Sequence, residues 1–201
     1  MKLHALLPML SALLITLSGC SSQPSTLILN PLLPTVSAAQ VAPLPVQFTS
    51  QDVRPHRHAA ELRHTNGSIQ NVALSNSPTL VLENAFAHGL SSMGYQLSDD
   101  ADAPQLLLTL DEMLVVVDQH RLTHEAISLT AITIVVRYPH QELSKRFVAK
   151  GKFTGTFTAD APRIERELND RIAQLIKASL ADVELHQFIQ QQAAVHQGGH
   201  R

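Results

Sequence analysis

The sequence predicts an α+β domain: a curved antiparallel sheet of four to five strands with two main helices packed on one face. Three observations lead there. Segments of strand period and helix period follow in the order strand, helix, three or four strands, helix, an order in which the helices can cover one side of an antiparallel sheet. Each helical segment carries a single apolar stripe. Two of the long strands change the phase of their alternation midway, which implies a bulge or burial on both faces, and so a strongly bent sheet. No internal repeat runs through the 201 residues.

The folded domain is expected over residues 46–190. Val46-Gln47-Phe48-Thr49 alternates apolar and polar side chains and predicts a first strand reaching Val53, ended by Arg54-Pro55. The polar stretch from His56 to Ser77 follows, with Asn66-Gly67 as a turn signal, so it reads as a loop or an irregular hairpin. Ser77-Pro78 has the form of an N-cap followed by proline at the first helical position. Leu82, Phe86, Leu90 and Met93 then recur at helical spacing, and Gly94 stands where a left-handed cap would end the helix.

Gln105 to Val117 favours even positions at Leu106, Leu108 and Leu110, then odd ones at Met113, Val115 and Val117. Ala126 to Val136 moves from Ile127 and Leu129 to Ile132, Ile134 and Val136. In the third strand Phe147, Ala149, Gly151, Phe153, Gly155 and Phe157 share one face, while Val148, Lys150, Lys152, Thr154 and Thr156 share the other, as suits a strand near an edge. Asp160-Ala161-Pro162 opens a second helix, with Asp160 or Ala161 as its cap and Ile164, Leu168, Ile172, Leu175 and Ile176 as its stripe. A short helical piece, VELHQFI, presents Leu185, Phe188 and Ile189, and residues 191–201 read as a frayed polar tail.

Ahead of the domain, Lys2 precedes an apolar run from Ala5 to Leu17. That run has the length of a signal-peptide core and falls short of the roughly 20 residues a bilayer-spanning helix needs. Leu17-Ser18-Gly19-Cys20 resembles the bacterial lipobox. The resemblance implies a signal peptide over residues 1–19, a diacylglyceryl thioether on Cys20, acylation of the freed amine, and a mature chain starting at Cys20. A thiolate is the nucleophile such a thioether requires, and several acyl chains on one residue anchor far more firmly than one. Ser21, where retained inner-membrane lipoproteins tend to have aspartate, points to the outer membrane.

Residues 20–45 hold Pro24, Pro31, Pro34, Pro43 and Pro45 and read as a lipidated N-terminus and tether, able to reach about 75 Å if all of it were extended. Thr26 to Leu29 is the exception, a possible short strand against the body. Lysine and arginine number 15 against 17 aspartates and glutamates, and losing Lys2 with the leader takes the formal charge from −2 to −3. No basic excess points to nucleic acid. Cys20 is the only cysteine, so no disulfide is expected and stability rests on an ordinary core.

The eleven histidines are the compositional oddity. His56, His58 and His64 cluster in a polar segment, and imidazole binds zinc and copper well. No cysteine or firmly placed carboxylate completes a first shell, so a solvated histidine-rich loop is the leading reading and a metal site the alternative. His120 and His124 fall at a predicted strand-to-strand turn, where four-residue spacing does not chelate, and His196 and His200 lie in the tail. Catalytic templates fail in turn. Gly89-Leu90-Ser91-Ser92-Met93-Gly94 lacks the second glycine of a nucleophile elbow, and His124-Glu125 is not followed by the second histidine of a zinc protease helix. Asp99, Asp100 and Asp102 lack the spacing and closing glutamate of a calcium loop. Asp111 and Glu112, adjacent on a strand, are expected on opposite faces. No catalytic residue, cofactor-binding residue or metal ligand is assigned, and no enzyme is expected.

The mature chain resembles the YajG family of bacterial lipoproteins. The likeness rests on the lipobox, Leu27-Ile28-Leu29-Asn30-Pro31, Asp52-Val53-Arg54, Met93-Gly94-Tyr95, the long strand block and Leu185-His186-Gln187-Phe188-Ile189. The histidine-rich loop is outside that pattern. A two-helix, curved-sheet layout also resembles LptE-like lipoproteins, at the level of architecture. What these resemblances imply is a lipoprotein of the cell outer membrane, facing the periplasm, that acts as a non-enzymatic binding or assembly module toward an envelope protein, a lipid or a cell-wall component.

Overall fold

The computed structural model describes the backbone of residues 26–33 and 44–198, and side chains as far as Gln191. Eight strands and three helices follow in order: β1 (Thr26–Leu27), β2 (Leu44–Asp52), β3 (Ala60–Arg63), β4 (Ile69–Leu74), α1 (Pro78–Ser92), β5 (Tyr95–Leu97), β6 (Gln105–Gln119), β7 (Thr123–Tyr138), β8 (Gln141–Thr156), α2 (Ala161–Leu180) and α3 (Val183–Gly198). The α+β class and the curled sheet stand. Four to five strands are too few, because all eight join one sheet.

Nor is that sheet purely antiparallel. β6, β7 and β8 run antiparallel to one another, as the sequence suggests. β2 and β3, however, both lie parallel to β6, β5 lies parallel to β2, and β1 lies parallel to β4. The short strands β1, β3 and β5 have two, four and three residues. Alternation cannot be read from so few positions, and parallel pairing needs a long crossover that places the partner far along the chain. Here α1 lies within that crossover from β2 to β6.

β6 is the hub. One edge pairs with β7 along its length, with a single register shift between Leu110 and Glu112 that makes Asp111 a bulge. Before the bulge Leu106, Leu108 and Leu110 are buried; after it Met113, Val115 and Val117 are. One extra residue has moved the buried set from even to odd positions, which is the phase change visible in the sequence. β7 resolves its own change differently. It pairs with β8 without any shift, so its even residues keep the core side and Ile127 and Leu129 fall on the other face, Ile127 being 59 % exposed.

The helices cover one face. Ser77 caps α1 by accepting from the Leu80 amide, and Asp160 caps α2 by accepting from the Arg163 amide at 3.0 Å. Gly94 follows α1 with φ of +95°, a backbone state that glycine adopts without strain. Leu82, Phe86 and Leu90 of α1 and Ile164, Leu168, Ile172 and Ile176 of α2 are fully or almost fully buried against the sheet. α3 extends the piece read as VELHQFI on to Gly198, with Leu185 and Ile189 in the core. Phe157 departs from its expected face: β8 ends at Thr156, and Phe157 turns out at φ of +61° with its ring 69 % exposed.

The strand suspected near Thr26 is present as β1. Leu27 and Leu29 are buried in the core. The carbonyl of Leu27 accepts from the Ser75 amide at 2.8 Å. The amides of Ile28, Leu29 and Asn30 donate to Glu165, Asn76 and Asn169 side chains at 2.8, 3.0 and 2.8 Å. Residues 26–31 of the segment read as a tether therefore lie on the body.

Leu27→Ala is expected to destabilise the complete chain by about 2–5 kcal/mol, as for other fully buried leucines. Urea denaturation measures this, and a loss well below about 1 kcal/mol would show that β1 lies outside the cooperative unit.

Candidate functional site

Cys20 and the lipobox residues Leu17, Ser18 and Gly19 lie outside the described residues. What the structure supplies is the surroundings of the other sequence candidates. β2 and β3 share one edge of β6, and the chain leaves that edge between them. Val53 still donates to Leu110 at 3.1 Å, and pairing resumes where Val115 donates to Ala59 at 2.9 Å. The excursion spans Arg54 to His58 and sits opposite the β6 bulge. It borders a cleft of about 210 Å³ with Arg54, Pro55 and His56 on one side and Glu112, Met113 and Leu114 on the other.

A buried ion pair fixes the start of this excursion. The Arg54 side chain is 3 % exposed and grips Asp52 with two parallel bonds of 2.9 Å, from Nε to Oδ1 and from a terminal nitrogen to Oδ2. Arg57 adds a second cation at 3.1 Å. Burial by itself would raise the Asp52 carboxyl, but the hydrogen bonds from Arg54 and the charges of Arg54 and Arg57 outweigh it and hold that carboxyl below its usual range.

His56 and His58 do come together, with ring centroids 5.2 Å apart. His58 Nε2 lies 3.2 Å from Glu61 Oε1. His64 sits at the turn of the β3–β4 hairpin, where its amide donates to Ser68. Among the described residues no group of three or more histidine, cysteine, aspartate or glutamate side chains is placed to hold a metal ion, so the three imidazoles do not form a ligand set. Asp99, Asp100 and Asp102 form a turn in which the Asp102 amide donates to the Asp100 side chain at 3.1 Å. Gly89 to Ser92 lie on α1, as expected of the failed elbow motif.

Two expectations are corrected. Asp111 and Glu112 do not point to opposite faces: the bulge brings both to Arg146, at 3.3 and 3.7 Å, and Thr133 donates to Asp111 at 2.7 Å. His124 is not a turn residue but a buried member of β7, 5 % exposed. Its position on the even, core-facing phase of that strand is the signal that would have found it.

The segments Met93-Gly94-Tyr95 and Leu185-His186, far apart in sequence, meet. His186 Nε2 lies 2.7 Å from the Leu180 carbonyl, which can only accept, so Nε2 carries the hydrogen and Nδ1 accepts from the Tyr95 hydroxyl at 2.8 Å. Burial pushes the Tyr95 hydroxyl above its ordinary range. Nearby, Tyr138 donates to the Ile189 carbonyl at 2.8 Å, and burial, with a smaller effect of Tyr95, pushes it up to about 12.

The face of the sheet away from the helices is apolar along its middle. The cross-strand pairs Leu114–Leu129, Val116–Ile127 and Ala131–Val148 adjoin there. Arg146, Lys150 and Lys152 flank them on β8, whose second edge pairs with no strand among the described residues. No described helix is long and apolar enough to cross a membrane.

An α+β domain with a curled sheet, one helix-covered face and one bare apolar face is the class this geometry defines. Residues 31–190 match the family model Lipoprotein_16, described as uncharacterized lipoprotein, and the chain belongs to that family, the YajG family expected from its motifs. Among solved structures it is similar to protein XCC0632 from Xanthomonas campestris, a DUF330-family protein: 13% identity, TM-score 0.50, covering 85% of this chain and 97% of that one. It also matches a minor lipoprotein from Acinetobacter baumannii, with 15% identity, TM-score 0.40, 69% of this chain and 94% of that one. No curated protein matches. At these identities the XCC0632 likeness concerns the fold.

Asp52→Ala is expected to cost about 3–5 kcal/mol, because it leaves the Arg54 charge buried and unpaired; guanidinium melts of the two chains measure the difference. Tyr138 titrates near 10 when unfolded and near 12 when folded, so its contribution is complete below pH 10 and is lost as the pH rises toward 12. Thermal melts across that range should fall more steeply for the natural chain than for Tyr138→Phe.

Proposed function

We propose that this chain is a non-enzymatic module of the cell envelope, fixed to the outer membrane by lipid on Cys20 and facing the periplasm, that binds another envelope component with the outward face of its sheet. The observation carrying this reading is the bare apolar strip between β6, β7 and β8. Ile127 and Val148 are 59 % and 44 % exposed there, and no helix among the described residues lies over them. Soluble surfaces rarely leave such strips uncovered without a partner. The rim holds both signs, with Arg146 paired to Asp111 and Glu112 and Lys152 to Glu125, which favours a mixed-charge partner surface.

The anchor supports the same reading. Thr26 is docked on the body, and the chain from Cys20 to Thr26 is long enough to span at most about 20 Å. A lipid on Cys20 holds the domain close to the bilayer, and Ile28, Leu32 and Leu33, all exposed, fall near that attachment.

Two measurements test this. Mass spectrometry of the N-terminal peptide is expected to show acylated Cys20, and Cys20→Ala should shift the protein from the membrane pellet to the soluble periplasmic fraction. A photo-crosslinker at position 127 should capture a specific envelope component from intact cells, and Val148→Glu should reduce that capture at unchanged thermal stability. Capture insensitive to changes on this face would overturn the assignment of the binding surface.

A further inference from the structure

The end of the sheet where β7 begins and β8 stops carries three apolar side chains in solvent: Ile69, Leu122 and Phe157 are 60, 68 and 69 % exposed. Ile69 starts β4, Leu122 lies in the β6–β7 connection, and Phe157 directly follows β8. The exposure of Phe157 is imposed by its backbone. Its amide donates to the Leu122 carbonyl at 2.8 Å, and its carbonyl accepts from His124 Nδ1 at 2.9 Å. Those two bonds hold it at φ of +61°, a left-handed state that costs free energy for a residue with a Cβ. A phenylalanine, ordinarily a core residue, is thus pinned in strained backbone with its ring turned outward.

The chain ahead of Thr26 lies toward this same end. β3 runs toward it, since Arg63 pairs with Asp118 and the neighbouring Gln119 pairs with His124. β4 runs back from it, and β1 is parallel to β4. α2 gives the same direction: it starts just past the end of β8, and the amide of Ile28 meets Glu165 in its second turn while that of Asn30 meets Asn169 one turn further on. Thr26 pairs with Ala73, and Ile69 stands four residues away along β4, so the end of the sheet lies about 13 Å from Thr26. Cys20 precedes Thr26 by six positions, a reach of at most about 20 Å. A lipid on Cys20 can therefore stand only about 7 Å beyond this end.

We propose that this end of the sheet is the membrane-facing tip of the domain, with Leu122 and Phe157 inserted at the boundary between lipid headgroups and acyl chains, where exposed apolar side chains are stabilised. The inference rests on lipid at Cys20, and it leaves the bare sheet face free for its partner. The test reconstitutes the chain, purified from membranes, in vesicles of phosphatidylethanolamine and phosphatidylglycerol that contain a lipid with a nitroxide on its acyl chain. One fluorescent amino acid replaces Leu122, His140 at the far end of the 16-residue β7, or Leu32 beside β1, in three separate preparations. Strong quenching is expected at position 122 and none at position 140. Phe157→Gly should roughly halve the quenching at 122; glycine takes the left-handed backbone without strain, so the fold is kept, which the melting temperature verifies. Equal quenching at 122 and 140, stronger quenching at 32 than at 122, or quenching at 122 indifferent to Phe157→Gly overturns the proposal. Mass spectrometry of the same preparations reads the anchor separately. If Cys20 is bare, the anchoring reading fails by itself; its thiol is then coupled to a maleimide lipid, and the same comparison judges the tip alone.

Discussion

Everything in this fold depends on how β6 divides its hydrogen bonds. One edge is committed to β7 over the full length of the strand. The other is shared: residues 105–110 pair with β2, and residues 115–118 pair with β3. The Asp111 bulge stands in the gap between the two partners. It shifts the buried set of β6 by one residue and increases the local twist, so that the β2 end lies under α1 while β7 and β8 lie under α2. The loop from Arg54 to His58 exists because β2 and β3 cannot follow a bulged partner without a break. Its first turn is then locked by Asp52 and Arg54.

The sequence discloses those parts of this arrangement that repeat over many residues. Both main helices are legible from their stripes and caps, Ser77 and Asp160 included, because helix signals are local and several turns long. The β6 bulge is legible because Leu110 and Met113 are both apolar and out of phase. The same inference made for β7 has a different outcome: Ile127 and Leu129 are out of phase because they belong to the second face of the sheet, not because the strand bulges. β1, β3 and β5 are too short to show any period, and their parallel partners are set by tertiary packing. Asp111 and Glu112 illustrate the cost of assuming regular geometry, since one extra residue places both beside Arg146.

The motifs that identify the family turn out to join elements. Asp52 and Arg54 close the end of β2. Tyr95, just past α1, reaches His186 on α3, and Leu27 and Leu29 plug the core beside α2. Away from these motifs, Ser128 on β7 donates to Glu167 on α2, whose carboxylate also faces Arg171 Nε at 3.2 Å. Apart from the two leucines, each link is a polar contact within a mostly apolar interface, where satisfied pairs define a unique packing better than apolar contacts do. His124 Nε2, Arg54 Nη1, Gln119 Nε2 and Thr130 Oγ1 are buried without a hydrogen-bond partner.

The docking of residues 26–30 also determines how the molecule bears mechanical load. Tension entering through the residues ahead of Thr26 meets Ser75 on one side and Glu165, Asn76 and Asn169 on the other. Those bonds are spread along the segment, so they share the strain instead of yielding singly, and the two leucines beneath them act as a plug that must be extracted at the same time. The central strands are thereby shielded from any pull applied ahead of Thr26.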